Sequence, residues 1–373
     1  MPQLRSTGEK EWSLKQKAQE VPVSPQRELV EGNEAIAEAA IRANCRFFFG
    51  YPITPQTEIL EYMAKRLPQV GGFFLQAESE IAAISMLQGV ACTGARVMTA
   101  TSSPGISLMQ EGISCLASMQ LPCVIVNVTR ASPGLGRIPP AQSDYFQATK
   151  RGHGDFNVIV LAPASVQEMA DLTMLAFDLA DEYRNPVMIL TDGMLGEMME
   201  TMVWSERQPR NFTKDWALGG AEGRERRLLV SAPLTDRELI ELNVELNKKY
   251  KEVAARERRW EEFYLADAEA VVVAFGTTSR ISLEAVDEAR KRGIKAGMIR
   301  PITLWPFPDL PFKNSCPKAK VFLSVEMNNG QMVEDVRLAV CGGAPVHFYG
   351  QGGGWVPSSL VIEEEIEKLA GAI

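Results

Sequence analysis

The stretch "RVMTATSSPGISLMQEGISCLASMQLPCVIVNVTR", residues 96–130, decides how the rest of the chain is read. It opens on a short apolar run, turns through Ser102, Ser103, Pro104 and Gly105, takes up the helical period of "ISLMQEGISCLASM", and closes on "PCVIVNVTR". Both outer runs are almost continuously apolar instead of alternating. Strands of that kind are buried on two faces, and with a helix between them they predict a mostly parallel sheet covered on both sides.

The same alternation extends outward. Upstream, "RFFFG" leads into a helical stretch to Leu67 and "FFLQ" into "EIAAISMLQGVACTG"; downstream, "NVIVLAP" and "PVMILTD" flank the long helical "SVQEMADLTMLAFDLADEYR". This predicts an α/β unit over residues 29–200. Residues 201–267 interrupt it with "GRERR" and "NKKYKEVAARERRWEE", a charged segment with few apolar positions in register, which predicts a connector with some helix running over the surface. The pattern returns in "AVVVAFG", "KAGMIRP", "KVFLSVEM" and "PVHFYG" and ends with the helix "SLVIEEEIEKLAG", a second, smaller α/β unit over 268–373. Two units suit 373 residues, which are too many for one typical core.

Composition narrows the function. A formal charge of −8 gives phosphate backbones no clustered positive surface, so nucleic acid is not expected as a partner. No run reaches the roughly 18–20 apolar residues of a membrane helix, and residues 1–28 read as a polar extension without a signal-peptide core, so a cytoplasmic location is expected. The six cysteines stand at 45, 92, 115, 123, 316 and 341 with no CxxC. Metal and iron-sulfur sites recruit ligands in close pairs, so no cluster is expected on this chain, and each cysteine is expected to be buried.

In open α/β sheets ligands gather at the carboxyl ends of strands, and four strand-to-helix turns carry polar groups there. In "GYPITPQTEI", Pro52 and Pro55 constrain the backbone on both sides of Ile53 and Thr54, and Thr54 or Pro55 is a natural first helical residue. In "LQAESEIAAI", Glu80 opens a helix, where it either complements the helix dipole or points into the crevice toward a nitrogen heterocycle. In "TATSSPGISLM", hydroxyls and free N–H groups around Ser103 can cap the helix or hold an oxyanion. With no GxSxG and only His153 and His347, a serine hydrolase is poorly supported. In "NVTRASPGLGRIPPAQSDYFQATKRGHGD", Arg130 ends an apolar strand; its planar fork suits a carboxylate ligand or an ion pair with Asp144. The GLG, GxGD and "GQGGGW" (350–355) fragments are too short to read as phosphate loops.

Taken in order, "GNEAIAEAAI", "GYPITPQTEI", "QAESEIAAI", "TATSSPGISLMQEGI", "LPCVIVNVTR", "QSDYFQATKRGHGDF" and "LAPASVQEMADLTMLAFDLADEYRNPVMILTDG" resemble the alpha subunit of 2-oxoacid:ferredoxin oxidoreductases over residues 29–200. The segments "VVVAFGTTSRISLEAV", "RPITLWPFP" and "SVEMNNGQMVEDVR" look like the second, transketolase C-terminal-like domain of that subunit. The resemblance implies a thiamine diphosphate enzyme that oxidatively decarboxylates a 2-oxoacid, passes electrons through iron-sulfur clusters to ferredoxin and forms an acyl-CoA. By position, Glu80 would bond the aminopyrimidine ring and drive the proton relay that activates the cofactor. Pro52, Ile53 and Ser103 would contact the cofactor, while Thr54 and Arg130 would bind the substrate and its carboxylate.

The chain lacks the GDG motif that holds diphosphate and magnesium. The resemblance therefore implies a beta subunit for that half and ferredoxin-like gamma and delta subunits for the clusters. "PGLG", "QSDYFQATKRGHGDF" and the following helix look closest to enzymes of 2-oxoisovalerate and other branched-chain oxoacids, with 2-oxoglutarate enzymes as the alternative. The chain departs from the branched-chain pattern at Ala131 and Ser132, where Gly-Gly is usual, and at Arg137, a second cation able to bind a distal carboxylate, coenzyme A phosphate or only solvent. A non-catalytic α/β assembly subunit is the reading of another class.

Overall fold

A computed structural model describes residues 27–371 apart from positions 151, 221 and 316. Nearly all of the expected N-terminal extension, and Cys316, lie outside the described residues. The first half runs β1 (Arg27–Glu31), α1 (Gly32–Arg42), β2 (Phe47–Gly50), α2 (Thr57–Arg66), β3 (Phe73–Gln76), α3 (Glu80–Ala91), β4 (Val97–Thr101), α4 (Pro104–Ser118), β5 (Cys123–Ala131), β6 (Arg137–Pro140), α5 (Tyr145–Thr149), β7 (Ile159–Leu161), α6 (Val166–Tyr183), β8 (Pro186–Asp192), α7 (Gly193–Glu197) and β9 (Met199–Val203). The second half runs α8 (Asp236–Arg256), β10 (Trp260–Phe263), β11 (Ala270–Val273), α9 (Gly276–Lys291), β12 (Ala296–Pro301), β13 (Thr303–Trp305), α10 (Leu310–Ser315), β14 (Val321–Glu326), α11 (Met332–Val340), β15 (Val346–Gly350) and α12 (Ser359–Gly371).

The opening stretch is β4, α4 and β5, and its neighbours build a parallel sheet in the order β7-β8-β5-β4-β2-β3. Side chains alternate across the pleat, so each strand serves two cores. Phe48, Met98, Val124, Val126 and Ile189 pack under α1, α2 and α6. Phe49, Val97, Ile125, Val160 and Met188 face α3 and α4. That second core continues without a break into a five-stranded sheet, order β10-β12-β11-β14-β15, through Val271, Val273, Ile299 and Phe322. The fold is thus α/β with parallel sheets, as the periodicity predicts.

Several features depart from the sequence reading. β13 leaves the second half to pair antiparallel with β7, extending the first sheet. β6 folds back on β5, and β1 pairs with β9 in a separate antiparallel ribbon. Within the charged connector, α8 starts on a capping box of Thr235 and Glu238 and buries Leu246, Tyr250 and Val253, three positions on one helical face. Of the described cysteines, Cys45 and Cys123 are buried, but Cys92 and Cys115 are half-buried and Cys341 is exposed at the left-handed C-cap of α11, contrary to the expectation of burial.

The two sheets are joined near the carboxyl end of β5. Gln142 accepts from Met327 N–H and donates to Phe275 O (3.1 and 2.7 Å), Asn328 Nδ2 donates to Gln142 O (2.9 Å), and Phe146 N–H donates to Gln331 Oε1 (2.8 Å). The "EMNNGQM" loop is itself fixed by buried Glu326, which accepts from the N–H groups of Gln331, Met332 and Val333.

At the opposite end of the first sheet, Lys249 on α8 donates to Gln120 Oε1 (3.3 Å) and Arg184 O (3.2 Å). Burial, then the neighbouring Arg184, press its pKa from 10.5 down to about 7. Between those values the unfolded chain holds the proton and the folded chain does not, so this group makes stability rise with pH across that window. Lys249→Met is expected to flatten the rise of Tm between about pH 7 and pH 9, and equal slopes in the two proteins would contradict the effect.

Candidate active site

Strands β3, β2, β4 and β5 lie side by side with their carboxyl ends together, and each ends in one of the four turns. Glu80 follows β3 as the first residue of α3, whose N-cap Ser79 accepts from Ala82 N–H. Glu80 is only 5 % exposed, and its carboxylate has no hydrogen-bond or ion-pair partner among the described residues. It lies against Gly105: a Cβ there would come within 2.7 Å of Glu80 Oε1 and 1.9 Å of Thr101 Oγ1. Glycine is required by this close approach. The Thr101 and Ser102 hydroxyls are also buried without partners.

A carboxylate on a residue this buried, left without a partner in the chain, is placed to accept from a donor outside it. A nitrogen heterocycle bearing a ring N–H or exocyclic amine can donate to the Glu80 carboxylate and exchange hydrogen bonds with the unpartnered Thr101 and Ser102 hydroxyls. The residues present therefore fit the pyrimidine end of thiamine diphosphate. Among the described residues no three His, Cys, Asp or Glu side chains gather to hold a metal.

Ser103, the N-cap of α4, is buried with φ 31° and ψ −82°, a conformation rare and strained outside glycine. Its N–H donates to Asn127 Oδ1 (2.9 Å), and its Oγ accepts from Arg130 N–H (3.1 Å). Arg130 then reaches across β4 to the β2 turn: Nη1 donates to Thr54 O (2.9 Å) and Nη2 to Leu135 O (2.7 Å). The structure thus brings Thr54, Ser103 and Arg130 into one connected group beside Glu80.

The ion pair with Asp144 considered for Arg130 does not form. Asp144 instead accepts from Asn127 Nδ2 (3.0 Å); burial raises its pKa, and the nearby Ser103 and Asn127 side chains oppose the rise. Arg130 has no carboxylate partner among the described residues, and its Nε is buried without an acceptor. Two carbonyls orient the guanidinium without neutralising it, which leaves its charge for a ligand anion.

Thr54 is exposed and precedes a cis Thr54–Pro55 bond; the helix begins later, at Thr57, not at Thr54 or Pro55. Asn33 Nδ2 fixes the turn from below by donating to Pro55 O (2.9 Å). Pro52 is exposed and Ile53 half-buried. Arg137 is exposed on β6, without an ion pair among the described residues, at the base of a hairpin whose Leu135 and Ile138 are 81 % and 55 % exposed. Of the short glycine fragments, Gly136 sits where a Cβ would strike Ala131 O, Gly350 against Glu326 O and Gly354 against Pro139, so all three serve packing. Sequence reading missed Asn127. Its signal is one carboxamide inside the apolar run "VIVNVTR".

A parallel sheet that gathers Glu80 after β3 and Arg130 at the end of β5 along one carboxyl edge, neither with a charged partner among the described residues, suits a thiamine-type site, and comparison with known proteins gives the family. Residues 38–261 match the thiamine diphosphate-binding domain of pyruvate flavodoxin/ferredoxin oxidoreductases, and residues 268–360 match core domain II of pyruvate:ferredoxin oxidoreductases. The chain belongs to this family and is an alpha-type subunit of a 2-oxoacid oxidoreductase. It is 49% identical to the ketoisovalerate oxidoreductase subunit VorB of Methanothermobacter marburgensis, over 92% of this chain and 98% of that one. It is 39% identical to the 2-oxoglutarate synthase subunit KorA of Methanocaldococcus jannaschii, over 83% and 90%. Among solved structures, the 2-oxoglutarate:ferredoxin oxidoreductase of Magnetococcus marinus, with 2-oxoglutarate, coenzyme A and succinyl-CoA bound, superposes with a TM-score of 0.84 at 26% identity, covering 93% of this chain and 66% of that longer one. No helix among the described residues is long and apolar enough to cross a membrane.

Proposed function

We propose that this chain supplies the pyrimidine half of a thiamine diphosphate site that oxidatively decarboxylates 2-oxoisovalerate to its acyl-CoA and CO2, with electrons passed to ferredoxin. The observation that carries the reading is the buried, unpartnered Glu80 carboxylate pressed on Gly105. In this reading residues 29–200 form the pyrimidine-side domain, 201–267 the connector and 268–373 the second domain.

Bound thiamine diphosphate supplies the carbanion chemistry of decarboxylation. Glu80 would hold the proton at the pyrimidine ring nitrogen, with Ile53, Pro52 and Ser103 lining the same end. Arg130 would receive the substrate carboxylate on the outer edges of its fork, and Thr54, whose carbonyl steadies Nη1, would border the reacting carbonyl. A beta subunit would hold the diphosphate and magnesium, coenzyme A would enter as co-substrate, and the clusters would lie on ferredoxin-like gamma and delta partners.

Branched-chain substrate is favoured by the higher identity to ketoisovalerate subunits and by the apolar Leu135 and Ile138 on the hairpin beside Arg130. Exposed Arg137 favours the second reading, 2-oxoglutarate, because a free cation can take a distal carboxylate. The complex with a GDG-containing partner, assayed with each oxoacid plus coenzyme A and a low-potential dye, is expected to give a kcat/KM at least about tenfold higher for 2-oxoisovalerate, about 1.4 kcal/mol of discrimination. The reverse preference would assign the 2-oxoglutarate activity, and no thiamine-dependent activity with any 2-oxoacid would point to the non-catalytic assembly role.

A further inference from the structure

We propose that Asn127 and Asp144 are positioning residues that set the cofactor end of the site by holding Ser103 in its strained conformation. The inference rests on the reading of the site above. Ser103 needs restraint, because φ 31° with ψ −82° is not a conformation a serine adopts unaided. The restraint is a short chain of bonds: Asn127 Oδ1 accepts from the Ser103 N–H, Asp144 accepts from Asn127 Nδ2 and so orients that carboxamide, and Ser103 Oγ accepts from the Arg130 N–H while donating to Arg130 O.

All three side chains are buried, at 0, 6 and 3 % exposure for Asn127, Asp144 and Ser103, so water does not replace a lost bond. The Asn127 carboxamide uses its acceptor on one turn and its donor on the other, a bridge that an apolar or shorter residue fails to make. Ser103 immediately precedes Pro104 and Gly105, so its backbone angles decide where Gly105 lies against the Glu80 carboxylate. Through Arg130 N–H the same serine fixes the strand end from which the guanidinium reaches Thr54.

Asp144 is in turn set by the second half of the molecule. Its neighbours Gln142, Ser143, Tyr145 and Phe146 are bonded to Asn328, Gln331 and Asp335 on or beside the loop after β14. Docking of the second sheet therefore reaches the cofactor end through Gln331, which bonds Ser143 and Phe146 on either side of Asp144, and then through Asp144, Asn127 and Ser103. This gives the "EMNNGQM" loop a part in catalysis although it touches none of the candidate catalytic side chains.

The test uses the assembled complex with its partner subunits and three variants. Asn127→Leu removes both halves of the bridge at similar volume. Asp144→Asn keeps a carbonyl acceptor for Asn127 Nδ2, and Glu80→Gln reports whether the site itself is correctly read. Thiamine diphosphate binding is measured by calorimetry on cofactor-stripped complex, alongside kcat and KM for the 2-oxoacid. A misplacement on the order of 1 Å costs about 10²-fold, so Asn127→Leu is expected to lose about that factor in kcat and to bind the cofactor more weakly, with Asp144→Asn restored to within a few-fold of the parent. Should Asn127→Leu not assemble, Asn127→Ser, which retains a smaller polar group in the same place, is expected to show the same losses. Parental kcat and cofactor affinity in whichever Asn127 variant assembles, while Glu80→Gln is inactive, would overturn the positioning role and leave the site reading intact. Parental activity in Glu80→Gln would overturn the site reading, and the positioning role with it.

Discussion

Glu80→Gln is expected to lower the turnover of the assembled enzyme by about 10²- to 10⁴-fold, the range that a positioned proton-transfer group contributes. The amide has the size and shape of the carboxylate, so it keeps the contact with Gly105 and the start of α3. It lacks the negative charge that holds a proton on a ring nitrogen. Stability is not expected to fall with it: the carboxylate has no partner among the described residues, so the isosteric amide breaks no bond within the chain. Tm of the variant should equal or exceed that of the parent. Loss of turnover together with a lower Tm would mean that the carboxylate is structural, and normal decarboxylation at any Tm would remove Glu80 from the mechanism.

The contrast between the two halves of this prediction shows what was legible in the sequence. The strands β2, β4, β5, β7, β8, β11, β12 and β14 were readable because a strand buried on both faces writes itself as an unbroken apolar run. The turns that follow β2, β3, β4 and β5 were readable as a candidate site because prolines, glycine and charged residues stand where ligands gather. β13 was not, since three residues whose pairing with β7 comes only from the docking of the two halves carry no periodic signal of their own. β6 was hidden by Pro139 and Pro140, which read as breakers and are tolerated on an edge strand. In α8 the charges of "NKKYKEVAARERR" obscured Leu246, Tyr250 and Val253, although their i, i+4, i+7 spacing is the mark of a packed face. Asp144 was weighed only as a counterion for Arg130, because a sequence gives the types of the charges but not which of them a buried carboxamide has already engaged.

The absence of that ion pair sharpens the second large prediction. Had Arg130 been paired with Asp144, its loss would chiefly have unbalanced the fold; held instead by the carbonyls of Thr54 and Leu135, it keeps its charge for the ligand. A hydrogen bond to a charged group is worth about 1.5–3 kcal/mol, so two of them to a substrate carboxylate amount to a factor of roughly 10² or more. Arg130→Ala is expected to raise the KM for the 2-oxoacid by about that factor, measured by steady-state kinetics on the assembled complex. The KM for coenzyme A, which has no part in this contact, should stay within a few-fold. Arg130→Lys separates charge from geometry. An ammonium is a point charge without the planar fork, and it fails to span both carbonyls while presenting two parallel donors to a carboxylate. Its KM should fall between the parent and Arg130→Ala, with kcat reduced as well, because the oxoacid is then held but no longer aimed at the reacting carbon. An unchanged KM in Arg130→Ala would assign the carboxylate to a different cation, and exposed Arg137 on the same hairpin is the residue to substitute next.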